Sequence, residues 1–206
     1  PECVIEAADV DTIYRVPLAY FKEGLDTQVC KHFGFESKSP DLSVWEDVVK
    51  RATTPKGEVS IAVVGKYTGL QDAYKSIAES FQHAGIANEL KVKVSWLNAE
   101  DLTDDKTTAH LLKDFQGILV PGGHGERGTE GKMRAIGYAR ENKVPFFGIC
   151  LGMQLAVIEF ARHVLGLKEA HSTEFEETDH PVVGLMTSWD QGGKAVKRSR
   201  KGDLGG

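Results

Sequence analysis

Between residues 59 and 149 short β-rich runs alternate with amphipathic helical patterns, and this alternation narrows the possible folds more than any other feature. The runs are 59–64, 92–96, 118–120 and 144–149. Strands interleaved with helices build successive βαβ units, hence an α/β domain with a mostly parallel sheet and helices on both faces. Between the first two runs Tyr74, Ile77, Ala78 and Phe81 fall at i, i+3, i+4 and i+7. They form one apolar stripe on a helix expected to pack on the sheet, with Gly85 placed to end it in a left-handed conformation. Further helices are expected over 107–115, 132–142 and 151–165.

The first 57 residues read differently, as helical pieces over 17–33 and 42–51 joined by the polar, Pro-containing stretch 36–41. Ser43 and Glu46 have the spacing of a capping box, in which each side chain accepts from a free backbone N–H of the other. Residues 53–57, Thr-Thr-Pro-Lys-Gly, read as a linker into the first strand. The basic stretch 194–201 reads as a solvated loop.

With 206 residues, 41% of them hydrophobic and 27% charged, the chain can bury a core and fold as an ordinary globular domain. A net charge of −5 supplies no overall basic field, which argues against nucleic acid or an anionic membrane as main partner. The chain has no apolar run of roughly 20 residues, and its start, Pro1-Glu2-Cys3, carries no basic leader pattern, so a cytoplasmic location is the expectation. Cys3, Cys30 and Cys150 form no C-x-x-C pair, which argues against a disulfide framework or a cysteine-based zinc site; no metal ligands are expected. A start without Met and an end at Gly205-Gly206 directly after a charged stretch read as a fragment of a longer protein.

The most informative segment is 144–154, where an apolar run feeds G-x-C-x-G (Gly148, Cys150, Gly152) and then a helical pattern. This is the layout of a nucleophile elbow with sulfur in place of a serine oxygen. A residue on a sharp strand-to-helix turn is forced into a strained conformation, and glycines two positions to either side avoid collision at the crowded bend. The thiol then stands at the carboxyl edge of the sheet, where open α/β folds place ligands, and at a helix N-terminus that favours thiolate. The N–H of Leu151 is positioned to donate to an oxyanion.

A second Gly-rich turn follows the preceding strand: Pro121-Gly122-Gly123-His124-Gly125-Glu126-Arg127-Gly128. Adjacent parallel strands bring this turn beside Cys150, where Gly122 and Gly123 can complete an oxyanion hole with no side chain in the way. Taken alone, a glycine run is equally a phosphate nest or a plain turn. A Walker loop is excluded because no G-K-[ST] follows.

P-G-G-x-G-x-R-G, followed by a helix and then G-I-C-L-G-M-Q-L-A-V-I-E-F-A-R, resembles the class I glutamine amidotransferases, in which a cysteine attacks the side-chain amide of glutamine and releases ammonia. The text around 62–67, 72–76, 142–145 and 172–175 is similar to the CTP synthase family in particular, and 9–14 resembles the end of that family's synthetase domain. The resemblance implies a flavodoxin-like amidotransferase domain, incomplete at its C-terminus, over 58–206. Residues 1–40 would close the synthetase (amidoligase) domain, and 41–57 would supply an interdomain helix and linker. It implies amination of UTP to CTP, with ammonia from glutamine and phosphorylation by ATP. No cofactor belongs to these residues themselves, while ATP, Mg2+ and a GTP effector belong to the longer enzyme, which is a homotetramer by family. By position it makes Cys150 the nucleophile and places Gly122 and the Leu151 N–H in the oxyanion hole. Gly123, Leu151, Gly152, Met153, Gln154 and Glu174 line the glutamine site, Glu174 as acceptor for the α-ammonium. His124 and Arg127 fall in the effector and oxyanion loop.

Two departures stand out. Position 124 is His where the family has Phe, and a histidine in a Gly-rich surface turn reads as exposed rather than as the catalytic base. No H-x-E occurs after Cys150: His163 is nearly four helical turns away, and His171 and His180 lie in loops. The expectation for these residues alone is little or no glutamine turnover. Two alternatives stay open: another cysteine-elbow amide hydrolase, such as a γ-glutamyl hydrolase, and a non-catalytic assembly fragment.

Overall fold

The computed structural model describes residues 3–66, 69, 71–186 and 188–197. The chain divides into two compact units, one from Pro1–Val59 with Tyr74–Lys93 and one from Ser60–Ala73 with Val94–Gly206.

The first unit carries helices α1 (Val16–Lys22), α2 (Leu25–Phe33), α3 (Ser43–Thr53) and α4 (Lys75–Asn88), with the opening residues of strands β1 (Gly57–Gly65) and β2 (Leu90–Asn98). The helical piece expected over 17–33 is two helices: Pro17 stands near the start of α1, and left-handed Gly24 and Gly34 lie on either side of α2. Two further local expectations are corrected. Ser43 and Glu46 form no capping box: α3 starts one residue earlier than the box requires, with Leu42 at the cap position and Ser43 already helical, and Asp41 Oδ1 accepts from the Ser43 N–H at 3.0 Å instead. Gly85 does not end α4; the helix runs on to Asn88 and closes at Glu89 with φ 55°. A Cβ on Gly85 would stand 2.6 Å from the Leu90 carbonyl oxygen, so this glycine serves a close approach of the following strand.

The second unit holds a four-stranded sheet of order β2-β1-β3-β4, with β3 Gly117–Val120 and β4 Phe146–Gly148. Strands β1, β3 and β4 are parallel, in register Ile61↔Gly117, Ala62↔Ile118 and Val63↔Leu119, then Ile118↔Phe146, Leu119↔Phe147 and Val120↔Gly148. All of β3 is buried, the pattern of a central parallel strand covered on both faces. Helices α5 (Asp105–Leu112), α6 (Thr129–Glu141) and α7 (Leu151–His163) follow β2, β3 and β4 in turn. Met133, Ala135, Ile136 and Ala139 of α6 and Leu151, Leu155 and Ile158 of α7 join Ala62, Val64, Ile118 and Val120 in one core. Each such large aliphatic side chain holds about 2–5 kcal/mol against truncation to Ala.

Glu159 of α7 is 1% exposed and receives bidentate hydrogen bonds from Arg140 of α6, at 2.8 Å from Nη2. The pair pins the two helices together, with His163 Nδ1 3.2 Å from the same carboxylate.

After α7 come β5 (Ala170–Ser172) and β6 (His180–Val183), paired parallel, and a hairpin of β7 (Ser188–Gln191) and β8 (Lys194–Lys197). The hairpin corrects the loop expected from 194: Gly192 and Gly193 both take positive φ, which suits a tight turn between antiparallel strands. Positions 198–201 of that basic stretch lie outside the described residues. Among the described residues, no helix is long and apolar enough to cross a membrane.

Candidate active site at the carboxyl edge of the sheet

Strand β4 ends at Gly148, and two residues later Cys150 adopts φ 52° and ψ −111° before α7 begins at Leu151. A side chain at positive φ costs roughly 1–3 kcal/mol, so the surrounding packing must over-determine the turn. It does so through glycine. A Cβ on Gly148 would stand 2.6 Å from the Gly152 carbonyl carbon, and one on Gly152 would stand 2.8 Å from the Val120 carbonyl carbon. The strand, the turn and the helix therefore meet backbone to backbone, and Cys150 is forced outward; it is exposed and unpaired with another cysteine.

Because β3 and β4 are neighbours, the turns that follow them are neighbours too. A Cβ on Gly122 would lie 3.3 Å from Cys150 Cβ and 3.9 Å from its Sγ, and one on Gly123 would lie 3.7 Å from Leu151 Cδ2. The backbone of the diglycine turn thus comes within one atom's thickness of the sulfur. Leu151 is the first residue of α7, where a backbone N–H has no acceptor within the helix. Cys150, Gly122, Gly123, Leu151 and Gly152 are brought to one corner, and Met153, exposed, and Gln154, half-buried, follow on the first turn of the same helix.

The remaining candidates sit on other elements. Glu174 is half-buried on the turn after β5, its backbone N–H donating to Ser172 Oγ at 3.2 Å. His124 is exposed in the glycine turn, and its carbonyl accepts a hydrogen bond from Lys66 Nζ. Arg127 is held by Glu100 at 2.8 Å. Both residues lie on the loop between β3 and α6, which ends at left-handed Gly128. His171 is engaged locally: Nδ1 accepts from the Ser172 N–H at 2.8 Å and Nε2 lies 3.6 Å from Glu176. His163 closes the last turn of α7, at the opposite end of that helix from Cys150. Among the described residues no three His, Cys, Asp or Glu side chains gather as a metal site.

One residue at this corner escapes the motifs. Lys132 of α6 is completely buried, and burial, aided by the charge of Lys66, lowers its ammonium to about 8. The signal was present in the spacing: Lys132, Ala135, Ile136 and Ala139 fall at i, i+3, i+4 and i+7, which sets a lysine on the apolar stripe.

The family model Glutamine amidotransferase class-I matches residues 69–200. Curated relatives include a CTP synthase of Gluconacetobacter diazotrophicus, 54% identical over 207 residues, and one of Agrobacterium fabrum, 56% identical over 207 residues. Each alignment covers 100% of this chain and 38% of the relative, so the chain spans well under half the length of these relatives. A solved structure described as the Trypanosoma brucei CTPS glutaminase domain with bound acivicin superposes with a TM-score of 0.58 at 43% identity, over 62% of this chain and 50% of that one. The four-stranded sheet, the cysteine turn beside the diglycine turn and the match across most of the chain agree: the chain belongs to the class-I glutamine amidotransferase family, and it shares over half its residues with CTP synthases.

Proposed function

We propose that this corner hydrolyses the side-chain amide of glutamine, with Cys150 as nucleophile. The observation that carries the reading is the strained Cys150 backbone, φ 52°, held against Gly122 with 3.3 Å between the cysteine Cβ and the place a glycine Cβ would take. The sulfur attacks the amide carbon and the carbonyl electrons move onto oxygen, where the N–H groups of Leu151 and Gly122 donate to it. Collapse of the intermediate breaks the C–N bond as nitrogen takes up a proton and leaves as ammonia. Water then cleaves the thioester, giving glutamate and restoring the thiol.

Gly123, Gly152, Met153 and Gln154 line the glutamine pocket in this reading, and the Glu174 carboxylate accepts from the substrate's α-ammonium. The proton carrier is assigned to a histidine outside these 206 residues, since no H-x-E follows Cys150. In the longer protein, ammonia would aminate UTP to CTP at the expense of ATP with Mg2+, in a cytoplasmic homotetramer, with a GTP effector acting near His124 and Arg127. The synthetase domain's end over 1–40, the linker over 41–57 and the amidotransferase part from 58 complete this proposal. Among the described residues no group of three His, Cys, Asp or Glu side chains gathers to hold Mg2+.

The test is covalent labelling. Acivicin or a glutamine chloroketone should alkylate Cys150, with Cys3 and Cys30 unmodified, and L-glutamine should protect it. Labelling of all three cysteines alike by a general thiol reagent, with no preference for the glutamine analogue, removes the proposal.

A further inference from the structure

Lys132 Nζ is fully buried and has no hydrogen-bond partner among the described residues. It lies 3.5 Å from the point a Cβ on Gly123 would occupy, on the same turn whose Gly122 meets Cys150. Elements packed against α6 bring Glu100, Asp101, Asp105, Lys106, His110, Glu159 and Arg162, and none of them gives Lys132 Nζ a hydrogen bond. Glu159 of α7 holds Arg140, Arg162 of α7 meets Glu130 at 3.5 Å, and Glu100, just after β2, holds Arg127. The charge acting on Lys132 is that of Lys66, which donates to the His124 carbonyl on the same glycine turn. Two ammonium groups thus address one turn, one of them already bonded to a turn carbonyl.

A buried ammonium without an acceptor is costly, and the cost is relieved by losing the proton or by gaining a carbonyl. A turn of glycines offers peptide carbonyls with no side chains to resist their rotation. In a planar trans peptide the C=O and N–H point in opposite directions, so a carbonyl fixed on one side fixes an N–H on the other.

We propose that Lys132 is the positioning residue of the glycine turn: when an amide seats against Cys150, a turn carbonyl rotates onto the Lys132 ammonium and the opposite N–H is aimed at the substrate oxygen. The proposal rests on Cys150 facing a glutamine site, as argued above. Lys132 touches neither substrate nor the reacting atoms; it acts through the peptide it holds. Pairing with a carbonyl raises the affinity of the amine for its proton, so binding draws a proton from solvent at pH values above the unpaired ammonium's midpoint and none well below it.

Titration calorimetry of the chain with L-glutamine, in two buffers of different ionisation enthalpy, counts that proton. At about pH 8.5 the chain should take up roughly 0.7 proton more per glutamine than Lys132→Met, and at about pH 6.5 the two should not differ. Lys132→Met should also bind roughly fivefold more weakly, while Lys132→Arg, which keeps the charge and cannot titrate here, should bind with no extra uptake. Glutamine binding with the same proton count in the chain and in Lys132→Met overturns the role of Lys132 and leaves the glutamine site standing. Absence of glutamine binding at both pH values removes the site and this inference together.

Discussion

A Cβ placed on Gly122 would lie 3.3 Å from Cys150 Cβ, so the glycine turn packs against the cysteine turn with no room for a second side chain to enter freely. Gly122→Ala therefore needs the turn to give by a few tenths of an ångström, at the place of the proposed oxyanion donor. The fold is carried elsewhere, so the thermal midpoint should hardly move. The rate of Cys150 alkylation by a glutamine chloroketone should fall roughly 10²-fold, the range for losing one oxyanion donor, as followed by intact-mass spectrometry. An unchanged rate would separate Gly122 from the chemistry.

Gly152→Ala should act on stability instead. Its Cβ would stand 2.8 Å from the Val120 carbonyl carbon and 3.0 Å from Val120 Cγ1, and both α7 and β3 are buried there. Overpacking of this kind costs roughly 1–3 kcal/mol or more, read as a lowered urea midpoint. Gly184→Ala, with nothing within 4 Å and no positive φ, is the matched control and should be neutral.

Arg140→Ala strands the Glu159 carboxylate, 2% exposed in its side chain, between α6 and α7. Removing one partner of a buried pair costs roughly 3–5 kcal/mol, whereas Arg140→Met with Glu159→Met should recover most of it. Urea unfolding of Arg140→Met, Glu159→Met and the double variant closes the cycle.

Lys132→Met should stabilise the ligand-free chain at neutral pH by roughly 1–3 kcal/mol, because the folded state holds this ammonium at about 8 against about 10.4 in the unfolded chain. The sign follows from proton counts. Between those two values the unfolded chain binds more protons than the folded one, so the wild type gains stability relative to the variant as pH rises. The variant's advantage, full below about pH 8, should shrink to near zero above about 10.4, measured as the difference between paired denaturation curves.

Ammonia release from glutamine by the 206-residue chain should be roughly 10²–10⁴-fold or more below that of an enzyme with a positioned base, even where Cys150 labels readily. His163 lies at the far end of α7, and His171 is tied to the Ser172 N–H with Glu176 beside its other nitrogen. A coupled glutamate assay on purified chain checks this, and brisk turnover would require a base not identified among these histidines.

The elbow was readable in advance because its constraint is local. Gly148, Cys150 and Gly152 are three alternate residues of one turn, and the bend that needs small neighbours is made by the same few peptides. Gly85 shows the limit of local rules: taken by itself a glycine near a helix end reads as a terminator, but the carbonyl of Leu90 pressing on it is what excludes a side chain. Asp41 likewise displaces the Ser43–Glu46 box by reaching the Ser43 N–H first. The hairpin of β7 and β8 lacks a run of alternating apolar residues, which is why the stretch from 194 reads as a loop in the sequence, and its Gly192-Gly193 turn takes on meaning only once the two strands pair.

The order of apolar runs, helical stripes and glycines in the chain was by itself enough to determine an α/β sheet and a cysteine on a strand-to-helix bend, because both depend on periodicity and on backbone sterics within a few residues. Strand order decided the rest: β3 beside β4 sets Gly122 against Cys150, and the rotation of α6 buries Lys132 behind Gly123. Those contacts join residues 28 and 9 positions apart, Cys150 with Gly122 and Lys132 with Gly123, and they exist only once helices and strands have packed and water has left the corner.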